Sequence, residues 1–170
     1  MYSPQEDSFF FAEFLSNYLK NLKIKNIKYL DMGTGSGILA QTAAQAGIPK
    51  QNITCADIDS EAITHTKKLG FSTIKSNLFE KIKNKFDLIT FNPPYLPAHK
   101  HDSKPDTTGG KHGDEITLKF IKQAKAHLNP DGKIFLLISS HTPQDKIKKH
   151  KPIIIKTKKL FFEELLILEI

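Results

Sequence analysis

Asn92-Pro93-Pro94-Tyr95 has the most specific chemical shape of any segment in this chain. Pro94 forces Pro93 out of the helical region, and each ring fixes its own φ, so the tetrapeptide is a rigid turn. Such a turn can aim the Asn92 side-chain oxygen and the Pro93 carbonyl at one point, where they accept both hydrogens of an –NH2 group. The nitrogen of a carboxamide, or of an exocyclic adenine amine, has its lone pair delocalised into a π-system. Two acceptors holding its hydrogens help to pyramidalise it and aim the lone pair at an electrophile, mainly through positioning and electrostatics. Tyr95 can stack on the planar group. The bland alternative, a proline turn after a strand, loses weight because two further motifs accompany this one.

The first is Asp31-Met32-Gly33-Thr34-Gly35-Ser36-Gly37. Glycines here permit a tight turn and a close approach of backbone to ligand, and a helix start behind them presents free N–H groups. The loop continues Gly37-Ile38-Leu39, without the Gly-Lys-Ser/Thr of a P-loop. Ile38 also stands where a dinucleotide fingerprint wants a small residue. Asp31, just before the first glycine, suits an ammonium better than a pyrophosphate. The ligand implied has an amino-acid end, as S-adenosylmethionine has. The second motif is Asp57-Ile58-Asp59, 24 residues beyond Gly33. Asp57, at a strand end, can accept both ribose hydroxyls, whereas Asp59 reads better as a turn or helix cap.

These residues need a scaffold, and the periodicity supplies one. Ser3-Pro4-Gln5-Glu6 reads as a helix start with Ser3 as cap and Pro4 at the first position. Phe11, Phe14, Leu15, Tyr18, Leu19 and Leu22 then form an apolar face. Strands are expected at 27–32, 53–58, 71–75, 86–91, 133–138, 153–155 and 165–170. Helices are expected at 38–46, at 60–69 with Ser60 as cap, and at 115–128, with a turn over 129–132. Strands alternating with helices imply an α/β doubly wound, mostly parallel sheet covered on both faces, with ligands at the carboxyl ends of the strands. The last two strands are expected as an antiparallel pair. Residues 92–113, rich in Pro, His and Gly, form a loop of a length that usually carries function.

Length and composition set limits. At 170 residues the chain reads as one domain over 1–170. It contains no apolar run long enough to span a bilayer and no secretory signal. Cys55 is alone, which excludes an internal disulfide and a Cys-based zinc site. His99, His101 and Asp102 lack a fourth ligand, so no metal is expected. A cytoplasmic location fits best. The net charge of +7 invites a nucleic-acid partner, but every basic residue is lysine, and arginine is the usual choice for bidentate phosphate or guanine contacts. The lysine-rich stretch from Lys146 to Lys159 reads as a solvated face.

Taken together, these segments resemble the HemK/PrmC-type class I methyltransferases, which modify the glutamine of the Gly-Gly-Gln motif in translation release factors. The likeness covers almost the whole chain. Tyr2-Ser3-Pro4-Gln5-Glu6-Asp7-Ser8 looks like the opening of the archaeal and eukaryotic branch. The glycine loop, Asp57 and Asn92-Pro93-Pro94-Tyr95 match the cofactor and catalytic motifs, and Gly109-Gly110-Lys111-x-Gly113-x-Glu115 resembles the stretch after the catalytic loop. Glu164–Leu168 is similar to that branch's last strand.

The resemblance implies a Rossmann-like fold of seven strands with an antiparallel last strand and S-adenosylmethionine as cofactor. Residues 1–22 would be a helix packed on the cofactor side, and residues 92–113 a substrate loop. The cofactor pocket would be lined by Ser8, Asp31, Gly33, Gly35, Asp57, Asn77, Leu78 and Asn92, with Asn77 standing where the family often has Asp. Asn92, Pro93 and Tyr95 would be catalytic. The protein substrate would be a release factor, and a small zinc-binding activator would form a heterodimer with the chain. The competing reading is methylation of an adenine amine in DNA, rRNA or tRNA. No duplex-binding module is visible to support base extrusion.

Overall fold

The computed structural model describes residues 4–94 and 113–170. Tyr2, Ser3, Tyr95, the His99–His101–Asp102 group and Gly109-Gly110-Lys111 lie outside the described residues, as does most of the expected substrate loop.

Seven strands make one sheet in the order β3-β2-β1-β4-β5-β7-β6. They are β1 (Tyr29–Met32), β2 (Ile53–Asp57), β3 (Ser72–Lys75), β4 (Phe86–Phe91), β5 (Leu128–Ser139), β6 (Ile153–Lys159) and β7 (Glu164–Glu169). The first five pair in parallel, and β7 runs antiparallel to both β5 and β6. The helices are α1 (Glu6–Asn21), α2 (Ile38–Gln45), α3 (Ser60–Lys68), α4 (Glu115–Ala124) and the short α5 (Asp145–Lys148). The chain builds from β1 outward through β2 and β3, then crosses back to place β4 on the other side of β1. In open α/β sheets a ligand crevice lies at the carboxyl ends beside such a reversal of strand order.

Period-two alternation splits the inner strands between two cores. Tyr29, Phe135, Leu137, Leu165 and Ile167 face one side, against Phe10, Phe11, Phe14, Leu15 and Leu19 of α1 and Leu39, Ala40 and Ala43 of α2. Leu30, Met32, Ile134, Leu136, Ile138, Leu166 and Leu168 face the other, against Phe120, Ile121 and Ala124 of α4. The apolar face of α1 is fixed by aromatic contacts. Phe135 receives Phe14 at 5.0 Å and Tyr18 at 4.8 Å between centroids, both edge-on. Each buried Phe or Leu on this face contributes about 1.5–3 kcal/mol. The position of α1 relative to the sheet is therefore set by its packing.

Several local expectations are corrected. Helix α1 starts at Glu6, with an extended Gln5 at the N-cap position and no side-chain cap among the described residues. Glu6 and Asp7 in its first turn interact favourably with the helix dipole instead. The cap of α3 is Asp59 rather than Ser60: its carboxylate accepts from the Glu61 N–H at 2.8 Å. Helix α4 ends at Ala124 and passes through a 3-10 turn, Lys125–His127, into β5. The expected turn at 129–132 lies inside β5 as an excursion between two paired stretches, because Leu128 already pairs with Phe86 before Lys133 pairs with Leu88. Asp131 takes the positive φ of 61° that this excursion needs. Strand β6 runs four residues beyond the expected 153–155, carrying Lys156, Lys158 and Lys159 along the sheet edge. Lysines on an edge strand discourage pairing with another chain.

Gly33 shows how tightly the first loop is set against the sheet. Its φ is +62°, and a Cβ there would stand 2.8 Å from the Phe91 ring. Gly47 also has a positive φ, +101°, but among the described residues a Cβ there meets nothing closer than 3.8 Å. Gly33→Ala is expected to lower stability by roughly 2–4 kcal/mol, backbone strain plus overpacking. Gly47→Ala should show only the strain, about 1–2 kcal/mol. Urea unfolding of the two variants beside the parent measures the difference.

Candidate active site

Four strand ends converge at the carboxyl edge of the sheet. Parallel pairing sets Met32 of β1 beside Phe91 of β4, so the glycine loop and the Asn92 turn leave the sheet side by side. On the other flank Asp57 ends β2 next to Lys75, which ends β3.

Asp31 lies beneath the glycine loop, 1% exposed. Its Oδ2 accepts from Thr34 Oγ1 at 2.7 Å, and its Oδ1 accepts from Thr90 Oγ1 at 3.3 Å. Thr90 Oγ1 is in turn 2.6 Å from the Tyr29 hydroxyl. Because the single Thr90 proton goes to Asp31, the Tyr29 hydroxyl donates to Thr90. Burial pushes the Asp31 carboxyl up to about 7, against the lowering effects of Thr34, the Ala40 backbone and Thr90. In this geometry Asp31 anchors the loop from below, and its oxygens are turned to hydroxyls of the protein.

Asp57 braces the loop from the side. Its Oδ2 accepts from the Gly35 N–H and its Oδ1 from the Asp59 N–H, each at 2.9 Å. Burial raises its carboxyl, and these backbone donors oppose the shift. Each carboxylate oxygen keeps a second lone pair for a ligand hydroxyl. Gly33, Gly35 and Gly37 all hold positive φ, so the loop stays low over the strand end.

The turn after β3 is held by the Ser76 N–H on the Asp57 carbonyl at 2.9 Å and by Asn77 Nδ2 on Glu80 Oε1 at 2.9 Å. The Asn77 side chain is exposed, while Leu78 is buried. Leu78 adopts a φ of +50°, which costs a non-glycine residue about 1–2 kcal/mol. Strained backbone of this kind concentrates at functional sites.

Asn92 follows β4 directly, with Pro93 buried behind it. Its Nδ2 donates to Asp7 Oδ2 at 2.9 Å, across 85 residues of sequence. Ser8 Oγ donates to the other oxygen, Asp7 Oδ1, at 3.3 Å. Asn92 Oδ1 is buried and has no hydrogen-bond partner among the described residues. An orphaned buried acceptor of this kind calls for an explanation, and an incoming N–H donor satisfies it. Sequence reasoning placed Ser8, Asp31, Gly33, Gly35, Asp57, Asn77, Leu78, Asn92 and Pro93 near one another, and all lie along this edge or against it. It missed Asp7, Tyr29 and Thr90. Asp7 stands within the opening segment, residues 2–8, that resembles the archaeal and eukaryotic branch, but no role attached to it there.

The Asp31 carboxyl gives this site a pH signature. A group whose folded value is raised stabilises the fold below its unfolded value, near 4, and loses that contribution as pH rises through about 7. Asp31→Asn is expected to remove this part of the slope, so the wild type should lose more stability than the variant between pH 5 and pH 8. Chemical denaturation of both proteins at the two pH values reads the difference directly.

Comparison with known proteins places this edge in a family. The methyltransferase small domain profile matches residues 11–157. A protein named as a candidate N5-glutamine methyltransferase, from Methanocaldococcus jannaschii, is 35% identical over 99% of this chain and 90% of its own length. A release factor glutamine methyltransferase from Lactococcus lactis is 32% identical over 66% of this chain, which spans about half (47%) of that relative. Among solved structures, the Thermus thermophilus 16S rRNA N2 G1207 methyltransferase in complex with AdoMet and guanosine has a TM-score of 0.68. It is 20% identical, covering 98% of this chain and 43% of that one, a likeness of fold alone. The seven-stranded sheet is that of the class I methyltransferases. With the profile matched over most of its length and a full-length relative above 30% identity, the chain belongs to the methyltransferase small domain family.

Proposed function

We propose that the protein transfers a methyl group from S-adenosylmethionine to the side-chain amide nitrogen of a glutamine, in the Gly-Gly-Gln motif of a translation release factor. The observation that carries this reading is the buried Oδ1 of Asn92, unpartnered among the described residues. It is an acceptor held where an –NH2 group would be recognised, at the mouth of a glycine-rich nucleoside loop. The names of the Methanocaldococcus and Lactococcus relatives supply glutamine and release factor as the substrate class.

The residues present fit the cofactor. Gly33 and Gly35 hold the positive φ that sets the loop low over the strand end, and Asp57 offers lone pairs to ribose hydroxyls. The turn at Asn77 and Leu78 would border the adenine side, Ser8 would border the pocket from α1, and Asp31 would hold the glycine loop beneath the amino-acid end through Thr34. When bound, S-adenosylmethionine supplies an electrophilic methyl: a C–N bond forms as the C–S bond breaks, sulfur keeps the electron pair, and the nitrogen loses a proton to water. Asn92 Oδ1 and the Pro93 carbonyl hold the two amide hydrogens, and Tyr95, which lies outside the described residues, is the expected stacking partner. This positioning localises the nitrogen lone pair, so no strong base is needed.

A zinc-binding activator subunit is carried into this proposal as a partner, in a cytoplasmic setting. No helix among the described residues is long and apolar enough to cross a membrane. The adenine-amine reading is the second one, since Asn-Pro-Pro-Tyr suits both nitrogens and the net charge is +7.

The test is transfer of labelled methyl to a purified cognate release factor and to its Gln→Ala variant, with and without the activator, beside DNA and RNA. Label is expected on the wild-type factor only, and Asn92→Ala should lower the rate by about 10²–10³. Label on nucleic acid with the factor silent would reverse the two readings.

A further inference from the structure

We infer that Asp7 is a positioning residue for methyl transfer: its buried carboxylate fixes which end of the Asn92 amide faces the substrate. The inference rests on the reading that Asn92 Oδ1 accepts from the reacting –NH2 group.

The two ends of a carboxamide are almost equal in size, so packing alone does not choose between them. Hydrogen-bond polarity does. A carboxylate is an acceptor only, so the end of Asn92 that meets Asp7 Oδ2 at 2.9 Å has to be the donor, Nδ2. The oxygen is thereby turned the other way, where it is buried and unpartnered among the described residues. A flipped amide would be wrong twice. Its oxygen would face the Asp7 carboxylate, and its two N–H groups would face a substrate that also presents N–H groups.

Asp7 is itself well held. It is 5% exposed, sits in the first turn of α1, and takes a second hydrogen bond from Ser8 Oγ at 3.3 Å. Phe10, Phe11, Phe14 and Leu15 follow on the same helix and are buried. The orientation of a side chain at the end of β4 is thus determined by an apolar helix that lies 85 residues earlier in the sequence. A hydrogen bond to a charged group biases such a choice by about 10- to 100-fold.

Asp7→Asn isolates this role. The substitution keeps the shape, but the amide it introduces can turn its own donor toward a flipped Asn92, so the bias is lost. The kcat for methyl transfer to the release factor is expected to fall at least about tenfold. The Kd of S-adenosylmethionine should stay near its wild-type value, and the melting temperature should fall only by the small loss of a first-turn charge. In an Asn92→Ala background the same substitution should have no further effect, because the two residues act as one unit. Asn92→Asp alone sets two carboxylates against each other. Combining it with Asp7→Asn restores a donor–acceptor pair and should recover activity over Asn92→Asp.

A readout independent of activity is the side-chain amide of Asn92 in 15N-labelled protein, identified by its loss in Asn92→Ala. Its protons should exchange slowly in the wild type and quickly in Asp7→Ala. The inference is overturned if those protons exchange fast in the wild type, or if the Asp7 and Asn92 effects multiply. It is equally overturned if Asp7→Asn weakens cofactor binding and leaves kcat alone, or if the double variant is no faster than Asn92→Asp. A wild-type enzyme that leaves the release factor unlabelled counts against the substrate reading, and the exchange measurement still decides the role of Asp7.

Discussion

Carboxylates drawn out of water at the carboxyl end of the sheet have to recover hydrogen bonds, and in this protein each recovers them from the segment it holds in place. Asp31 takes hydroxyls from Thr34 and Thr90, tying the glycine loop to β4. Asp57 takes backbone N–H groups from Gly35 and Asp59, tying the same loop to the end of β2. Asp7 takes the amide of Asn92, tying α1 to the end of β4. Desolvation makes an unmet bond costly, so the loop, the strand ends and the first helix are locked to one geometry. The positive φ of Gly33, Gly35 and Gly37 then sets the loop low over that edge.

The two sheet faces give this edge its rigidity. Large apolar residues alternate between the α1–α2 core and the α4 core along β1, β5 and β7, so a strand cannot slip by one residue without turning both sets over. Met32 and Phe91 are paired within that register. Gly33 and Asn92, one residue further along each strand, inherit their relative placement from it. The close approach of Gly33 to the Phe91 ring is the local expression of this constraint.

Much of this was legible in the sequence because it is local. Strand positions, the apolar face of α1 and the rigid Asn-Pro-Pro turn follow from periodicity and from the fixed φ of proline. The positive φ of Gly33 and Gly35 follows from the spacing of the glycines. Errors arose where two local solutions compete. Asp59 and Ser60 are both good caps, and only the folded turn shows that the Asp59 carboxylate reaches the Glu61 N–H. Asn129-Pro130-Asp131-Gly132 has turn chemistry, yet pairing on both sides absorbs it into β5. The contact between Asp7 and Asn92 was invisible for a different reason. It spans 85 residues and depends on the docking of a whole helix, which no short-range pattern encodes.

That span bears on how the protein is made. The residues of α1 leave the ribosome well before the strand residues they pack against, Phe135, Leu137, Leu165 and Ile167. Until those strands join the sheet, α1 can bury only the part of its apolar face that meets α2 and β1, at Leu39, Ala40, Ala43 and Tyr29, and the part that packs on β5 and β7 stays in water. The docking of α1, and with it the Asp7–Asn92 contact, is completed only when β5 and β7 cover Phe14 and its neighbours. In the finished protein the same dependence makes local fraying of α1 a route to lost activity with the sheet intact.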